Sequence, residues 1–389
     1  MDVWKCGRME ARSVRTSTPT VVGTSSSRLP HPNEACGVRI ILPVPQPVLA
    51  AHCLLNKLSL MPMQEIDCLG VYTSGGDAPG MNACLRAVVR TALANDLEVM
   101  GIRRGYEGMI EGDLVEMERR SVSNIVQSGG TILKSARSDA FMTEEGREQA
   151  AAHLREHDVD ALVAIGGDGT FRGASKLYDE HGFAVVGCPG TIDNDLYGTD
   201  QTIGYDTALN TAIENIDRIR DTADAHNRLF LVEVMGRDAG FIALNCGIGG
   251  GAELILIPET ITEMDMVKER ILSLMTAQRR STIVVVAEGD ELGGAQGIER
   301  ALRNDPKFSD IELRSAILGH TQRGGAPTAS DRVLASRLGV GAVEALLDGH
   351  SDVMVGLTNG ELKLTPLRNV YGRRKSIDYD LLKLTQILS

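Results

Sequence analysis

Two short acidic loops, each directly behind an apolar run of strand length, constrain the fold of this chain more than any other feature. Residues 161–165 lead into Gly166-Gly167-Asp168-Gly169-Thr170, and residues 184–188 lead into Pro189-Gly190-Thr191-Ile192-Asp193-Asn194-Asp195. Unbroken apolar runs of this length read as strands buried on both faces, the kind found in parallel sheets. In such sheets ligands bind just beyond the carboxyl ends of the strands. Glycines at that position let backbone N–H groups approach phosphates, and carboxylates there can hold Mg²⁺ or accept a proton. Two such loops from nearby strands point to phosphoryl transfer.

The rest of the pattern agrees. From Asp67 onward, strand-like runs near 68–72, 97–102, 160–165, 184–188, 229–235, 253–257, 281–287 and 311–317 alternate with helix-like runs. The helical runs are 81–94, 144–157, 170–180, 205–222, 239–246, 264–277 and 329–347. This alternation predicts an α/β fold, with mostly parallel sheets covered by helices on both faces. Residues 65–389 form the expected catalytic region, and residues 1–64 an extension. The extension is rich in Ser, Thr, Pro and Arg, and its one apolar stretch carries Pro43, Pro45 and Pro47, which spoil a helix. It lacks the order of a secretory signal. A disordered extension, a translation start at Met61 or Met63, and a transit peptide are the readings open at this point.

Charge and cysteine usage narrow the function. A net charge of −12 argues against nucleic acid or an anionic membrane as the main partner, and no apolar run is long enough to span a bilayer. An acidic protein that handles phosphate esters must gather its arginines locally. The seven cysteines show no CxxC and no metal-ligand spacing, which suits free thiols in a reducing cytosol.

Three groups of residues carry chemistry. The first is the glycine-rich turn at 73–82, with Gly75 and Gly80 spaced as in a Walker A loop but with Met81 where that loop needs Lys. It offers backbone donors, including those around Gly76, and a helix N-terminus. The second is the 166–170 loop, where Asp168 is placed to bind Mg²⁺ on a nucleotide's phosphates; its plain alternative is a helix cap. The third is Asp193 and Asp195, two residues apart, where one carboxylate can take a hydroxyl proton while the other orients it. The plain alternative there is an Asx turn. Arg137, Arg228, Arg237, Arg314 and Arg323 are the candidate phosphate binders, because Arg stays charged and makes bidentate bonds to phosphate oxygens.

The motifs TSGGDAPGMN, SAR, GGDGT, PGTIDND, VMGR and GHTQRGG occur in that order over residues 73–325. With them, residues 66–385 resemble ATP-dependent 6-phosphofructokinase of the bacterial type. The resemblance implies two Rossmann-like subdomains with the active site in the cleft between them. It implies that Gly76, Tyr106, Arg137, Gly167, Asp168, Gly169 and Thr170 hold ATP and Mg²⁺. Asp193 is the implied base for the 1-hydroxyl of the sugar, with Thr191 and Asp195 beside it. Met235, Gly236, Arg237, Glu288, His320 and Arg323 are implied to bind fructose 6-phosphate, with Arg228 and Arg314 reaching in from a neighbouring subunit of a homotetramer. Arg86, Arg90, Arg119, Arg220, Glu253 and Arg279 match effector-site positions for ADP or phosphoenolpyruvate, although Ala277 stands where a second basic residue is expected. Arg172 is unusual beside the adenosine pocket. Pyrophosphate-using relatives carry Asp and Lys where this chain has Gly169 and Gly190. A pyrophosphate-dependent enzyme is therefore the disfavoured alternative, followed by a kinase of the NAD or diacylglycerol type and by a catalytically dead sensor. The implied setting is cytoplasmic glycolysis.

Overall fold

The computed structural model describes residues 66–226, 228–276 and 281–388, all within one compact unit, Leu58–Ser389. The readings of residues 1–64, Ala277 and Arg279 fall outside the described residues.

Eleven strands are present among the described residues: β1 Cys68–Thr73, β2 Glu98–Ile102, β3 Leu114–Glu116, β4 Ala161–Gly166, β5 Ala184–Pro189, β6 Leu229–Val234, β7 Leu254–Leu256, β8 Thr282–Ala287, β9 Leu313–Ile317, β10 Val353–Thr358 and β11 Glu361–Pro366. They form two sheets. The first has the order β11-β10-β5-β4-β1-β2-β3 and the second β7-β8-β6-β9. The second sheet is wholly parallel. In the first, β10, β5, β4, β1 and β2 run parallel, and β3 and β11 pair antiparallel at the two edges.

The buried strands explain the unbroken apolar runs. In β1, Leu69 and Val71 enter one hydrophobic cluster while Cys68 and Tyr72 enter another on the opposite face. In β4, Ala161, Val163 and Ile165 face the first cluster, and Leu162 and Ala164 the second. The first cluster also takes Val232, Val234, Ile283 and Val285, so one core joins both sheets. A third cluster covers the outer face of the second sheet. Each fully buried Val, Leu or Ile contributes about 1.5–3 kcal/mol. Across the first sheet, helix Met81–Ala94 packs against helix Ala329–Leu347. Gly339 permits that approach, since a Cβ there would lie 2.7 Å from the Cys84 carbonyl oxygen. Thr328 caps the second of these helices, accepting from Asp331 N at 3.2 Å.

Register brings the motifs together. Thr73 of β1 is level with Ile165 of β4, and Gly166 of β4 with Pro189 of β5. The three loops that follow these strands therefore leave the sheet side by side. Chain order reverses between β1 and β4, which is where ligands bind in open α/β sheets. In the second sheet Val234 is level with Ala287, so the Met235-Gly236-Arg237 turn sits beside Glu288.

Candidate active site

A cavity of about 900 Å³ opens at these strand ends. That lies within the range of small-molecule sites, roughly 300–1,000 Å³. Both sheets contribute. Gly76, Arg137, Asp168 and Asp193 come from the first, while Arg237 and Arg323 come from loops of the second.

The 166–170 loop is braced from below. Thr170 Oγ1 donates to the Ser74 carbonyl at 3.0 Å, tying it to the glycine-rich turn. Gly190 N donates to Gly166 O at 2.9 Å, tying it to the next loop. Asp168 is the first residue of helix Asp168–His181, and its carboxylate is half-exposed to the cavity. A Cβ built on Gly169 meets nothing within 4 Å, whereas one on Gly190 lies 3.1 Å from Met81 Cε and 3.2 Å from Ile165 Cγ2. Glycine thus leaves open space at 169 and sits in tight packing at 190, where a Cβ would have to displace its neighbours by a few tenths of an ångström. Gly167, Thr170 and Thr191 also line the cavity. Tyr106 does so as well, but its hydroxyl is occupied by the Thr170 carbonyl and the Tyr72 hydroxyl. Its ring stacks on Phe141 at 3.9 Å between centroids. What it presents to the cavity is therefore an aromatic surface.

The 189–195 loop carries the buried acid. Asp193 is 2% exposed, and its backbone N–H donates to Thr191 Oγ1 at 3.2 Å. Asn194, in the left-handed region at φ 55°, accepts from Thr202 N at 3.1 Å, while Thr202 Oγ1 donates to Thr191 O at 2.6 Å. These bonds fold the loop back so that Asp193 and Asp195 both line the cavity. The 191–193 stretch is therefore a turn closed by the Thr191 hydroxyl, not by an Asp or Asn side chain bonding two residues on as an Asx turn requires. Asp193 Oδ2 lies 3.5 Å from Arg237 Nε, and Asp193 Oδ1 is buried without a hydrogen-bond partner. Burial raises the Asp193 carboxyl above its ordinary range, and Arg237 and Arg323 pull it back. Burial and the neighbouring Asp193 push Asp195 up to about 6.

Arg237 reaches this acid from a turn held in an uncommon conformation, with Gly236 at φ 146° and Arg237 at φ 52°. Glu288 Oε1 accepts from Arg237 N at 2.8 Å and Gly236 N at 3.3 Å. Gln322, fully buried, accepts from Met235 N at 2.9 Å through Oε1. Met235, Gly236 and Glu288 therefore stand behind the cavity wall and shape Arg237. Nothing in the motif list singled out Gln322, although it lies between His320 and Arg323. His320 is exposed on the 3-10 turn Gly319–Arg323, and Arg323 Nη1 donates to Asp77 O at 3.1 Å. Arg172 lines the cavity too, 3.9 Å from Asp168 and 5.0 Å over the Tyr371 ring. Tyr371 belongs to no recognisable motif, and only folding brings it there.

Arg228 and Arg314 are elsewhere. Arg228 precedes β6, whereas Arg237 follows it, so the strand's length separates them. Both Arg228 and Arg314 pair with Glu312, at 2.8 and 2.7 Å. Of the effector-type residues, Arg86 and Arg90 lie on helix Met81–Ala94, and Arg119 follows β3. Arg90 Nε is buried without a partner. Arg220 Nη1 lies 3.5 Å from Glu253 Oε1. None of the five described effector-type residues lines the cavity. Cys68, Cys84, Cys188 and Cys246 are buried free thiols. Among the described residues no helix is long and apolar enough to cross a membrane.

Comparison with known proteins bears on this arrangement. A family model described as phosphofructokinase matches residues 68–346. The chain is 59% identical over 321 residues to an ATP-dependent 6-phosphofructokinase 1 of Thermus thermophilus, covering 82% of this chain and 99% of that protein. It is 52% identical to an ATP-dependent 6-phosphofructokinase of Cytophaga hutchinsonii, covering 82% and 97%. It superposes on the phosphofructokinase of Saccharomyces cerevisiae with a TM-score of 0.70 at 37% identity, covering 82% of this chain but only 46% of the yeast chain. With its loops, cavity and sheet order as described, the chain belongs to the phosphofructokinase family.

Proposed function

We infer that this protein is an ATP-dependent 6-phosphofructokinase, transferring the γ-phosphoryl group of ATP to the 1-hydroxyl of fructose 6-phosphate in the committing step of glycolysis. The observation that carries this reading is Asp193: a buried carboxylate lining the cavity, with one oxygen 3.5 Å from Arg237 and the other without a hydrogen-bond partner. That is the arrangement of a base awaiting a hydroxyl proton.

The roles follow from placement. Asp193 accepts the proton of the 1-hydroxyl as the oxygen attacks in line, and Thr191 and Asp195 hold its loop and local charge. Arg137 and Arg237 meet the charge spread over the transferring group, where positioning and electrostatics supply most of the catalysis. The glycines of 73–82 and 166–170 admit the phosphates to backbone donors, and Tyr106 offers the nucleoside an aromatic face. Arg237 and Arg323 hold the sugar phosphate, with His320 at the rim.

Mg²⁺ fits this donor set. No group of three or more His, Cys, Asp or Glu side chains that could hold a metal ion occurs among the described residues. Mg²⁺ characteristically uses one or two carboxylates, waters and substrate phosphates instead of an all-protein cage. Asp168, half-exposed beside open space at Gly169, is the residue that would hold it. Bound there, Mg²⁺ would neutralise charge on the β- and γ-phosphate oxygens.

Donor choice rests on Gly169. Its open side leaves room for the α-phosphate and nucleoside, which pyrophosphate lacks. An assay of fructose 6-phosphate with ATP and, separately, pyrophosphate tests the reading; turnover with pyrophosphate alone would overturn it. A cytoplasmic homotetramer, with an ADP or phosphoenolpyruvate site at Arg86, Arg90, Arg119, Arg220, Glu253 and Arg279, completes the proposal. The adjacency of Arg220 and Glu253 and the unpartnered Arg90 Nε support it.

A further inference from the structure

The segment 196–200, directly behind Asp193 and Asp195, lies outside the eleven strands and the helices. Strand β10 and its turn hold one side of it, with Asp200 N donating to Leu357 O at 2.7 Å, Leu357 N to Thr199 Oγ1 at 3.1 Å and Asn359 N to Asp200 Oδ2 at 2.7 Å, and residues 373–375 hold the other. Leu196 forms an antiparallel bridge with Arg374. The Arg373 guanidinium lies 5.2 Å over the Tyr197 ring, and its Nη1 is 3.4 Å from the Tyr197 hydroxyl. Lys375 Nζ donates to the Asp200 carbonyl at 2.7 Å. The same ammonium lies 5.1 Å over the ring of Phe241, the first residue of the helix Phe241–Gly249 that follows the Arg237 turn. Phe241 in turn offers its carbonyl to the Tyr205 hydroxyl at 3.1 Å. One side chain thus joins the segment that follows Asp193 and Asp195 to the helix that follows Arg237.

We propose that Lys375 is a positioning residue of the active site, its ammonium holding segment 196–200 against the Phe241 helix so that Asp193 and Arg237 keep their mutual geometry. It touches no substrate and does not line the cavity. The inference rests on the assignment of Asp193 as the base. The cation–π attraction at a desolvated site requires the positive charge, and the charge strengthens the hydrogen bond to the Asp200 carbonyl. Burial lowers the Lys375 amine to about 8, while Asp200 and Asp195, the charged groups facing it, act in the opposite direction. The charge is therefore present at neutral pH and lost as pH rises through about 8. Arg in its place stays charged throughout.

The test uses the full chain and two variants, Lys375→Met and Lys375→Arg. Steady-state kinetics with ATP and fructose 6-phosphate are followed from pH 6.5 to 9.5, a span of roughly 1.5 units on either side of the expected transition. In the wild type, kcat should fall as pH rises through about 8. Lys375→Arg should abolish that fall. Lys375→Met should lower kcat at neutral pH by about 10- to 100-fold, the cost of a small misplacement, with KM for ATP unchanged. Amide hydrogen exchange of residues 196–200, which needs no activity, should quicken in Lys375→Met. An alkaline fall retained in Lys375→Arg, or exchange unchanged in Lys375→Met, overturns the proposal. If Lys375→Met does not fold, the Lys375→Arg profile decides. A wild type that orders this segment through Lys375 yet turns over neither substrate pair overturns the functional reading instead.

Discussion

Arg237 Nε lies 3.5 Å from Asp193 Oδ2, although the two residues leave different sheets. This contact ties the acid that follows one sheet to an arginine that follows the other. Arg237 both lowers the proton affinity of Asp193 and leaves its second oxygen free.

Replacing the acid should therefore remove turnover more than binding. Asp193→Ser should cut kcat by about 10²–10⁴-fold, the range for general-base catalysis, with little change in binding of fructose 6-phosphate. In the wild type kcat should fall as pH drops, because protonated Asp193 accepts no proton. The fall should lie above the ordinary carboxylate range, since burial raises this group. A variant keeping more than about a tenth of wild-type turnover would remove Asp193 from the role.

Gly169→Asp tests donor choice without threatening the fold. A side chain there projects into open space, so the melting temperature should stay near wild type. The added carboxylate brings bulk and like charge to the phosphate path. KM for ATP should rise sharply and kcat fall. Unchanged constants would mean that the nucleotide passes on another side.

Asp195 gives a stability signature. Its folded-state carboxyl titrates near 6, above the ordinary value of 3.8, so the folded protein binds more protons between those values. Stability from this group is thus lost as pH rises from 3.8 to 6. Asp195→Asn should raise the melting temperature by a few degrees, roughly, at pH 7. The gain should shrink as pH falls below 6. Differential scanning calorimetry at several pH values checks this; a pH-independent gain would contradict it. Activity should drop in the same variant, because the loop loses a negative charge beside the base.

Arg228 and Arg314 sit at the opposite end of β6 and β9 from Arg237, both paired to Glu312. Within one chain neither lines the cavity, and the proposed tetramer would need to bring them to a neighbouring site. Mixing an inactive Asp193→Ser chain with an inactive Arg228→Ala chain should restore part of the activity in hybrid oligomers. Proven hybrids without recovery would place the whole site in a single chain.

Local chemistry in the sequence determined much of this. Strands that are buried on both faces must be apolar throughout, so β1, β4 and β5 are visible as runs, and the loops behind them are visible as glycine and aspartate. Helices Met81–Ala94 and Ala329–Leu347 also match the bounds expected from the sequence. The edge strands β3 and β11 were not legible: they are short or exposed, and pairing alone defines them. Tertiary structure also decided which polar groups face ligand and which face backbone. The side-chain oxygens of Glu288 and Gln322 hold the 235–237 turn, because an uncommon backbone conformation needs outside acceptors for its N–H groups. The placement of Tyr371 beside Arg172 and of Lys375 beside Asp200 rests on contacts between residues 199 and 175 positions apart. No local pattern encodes such contacts, since they arise only when the chain's end packs back onto the sheet that its middle has built.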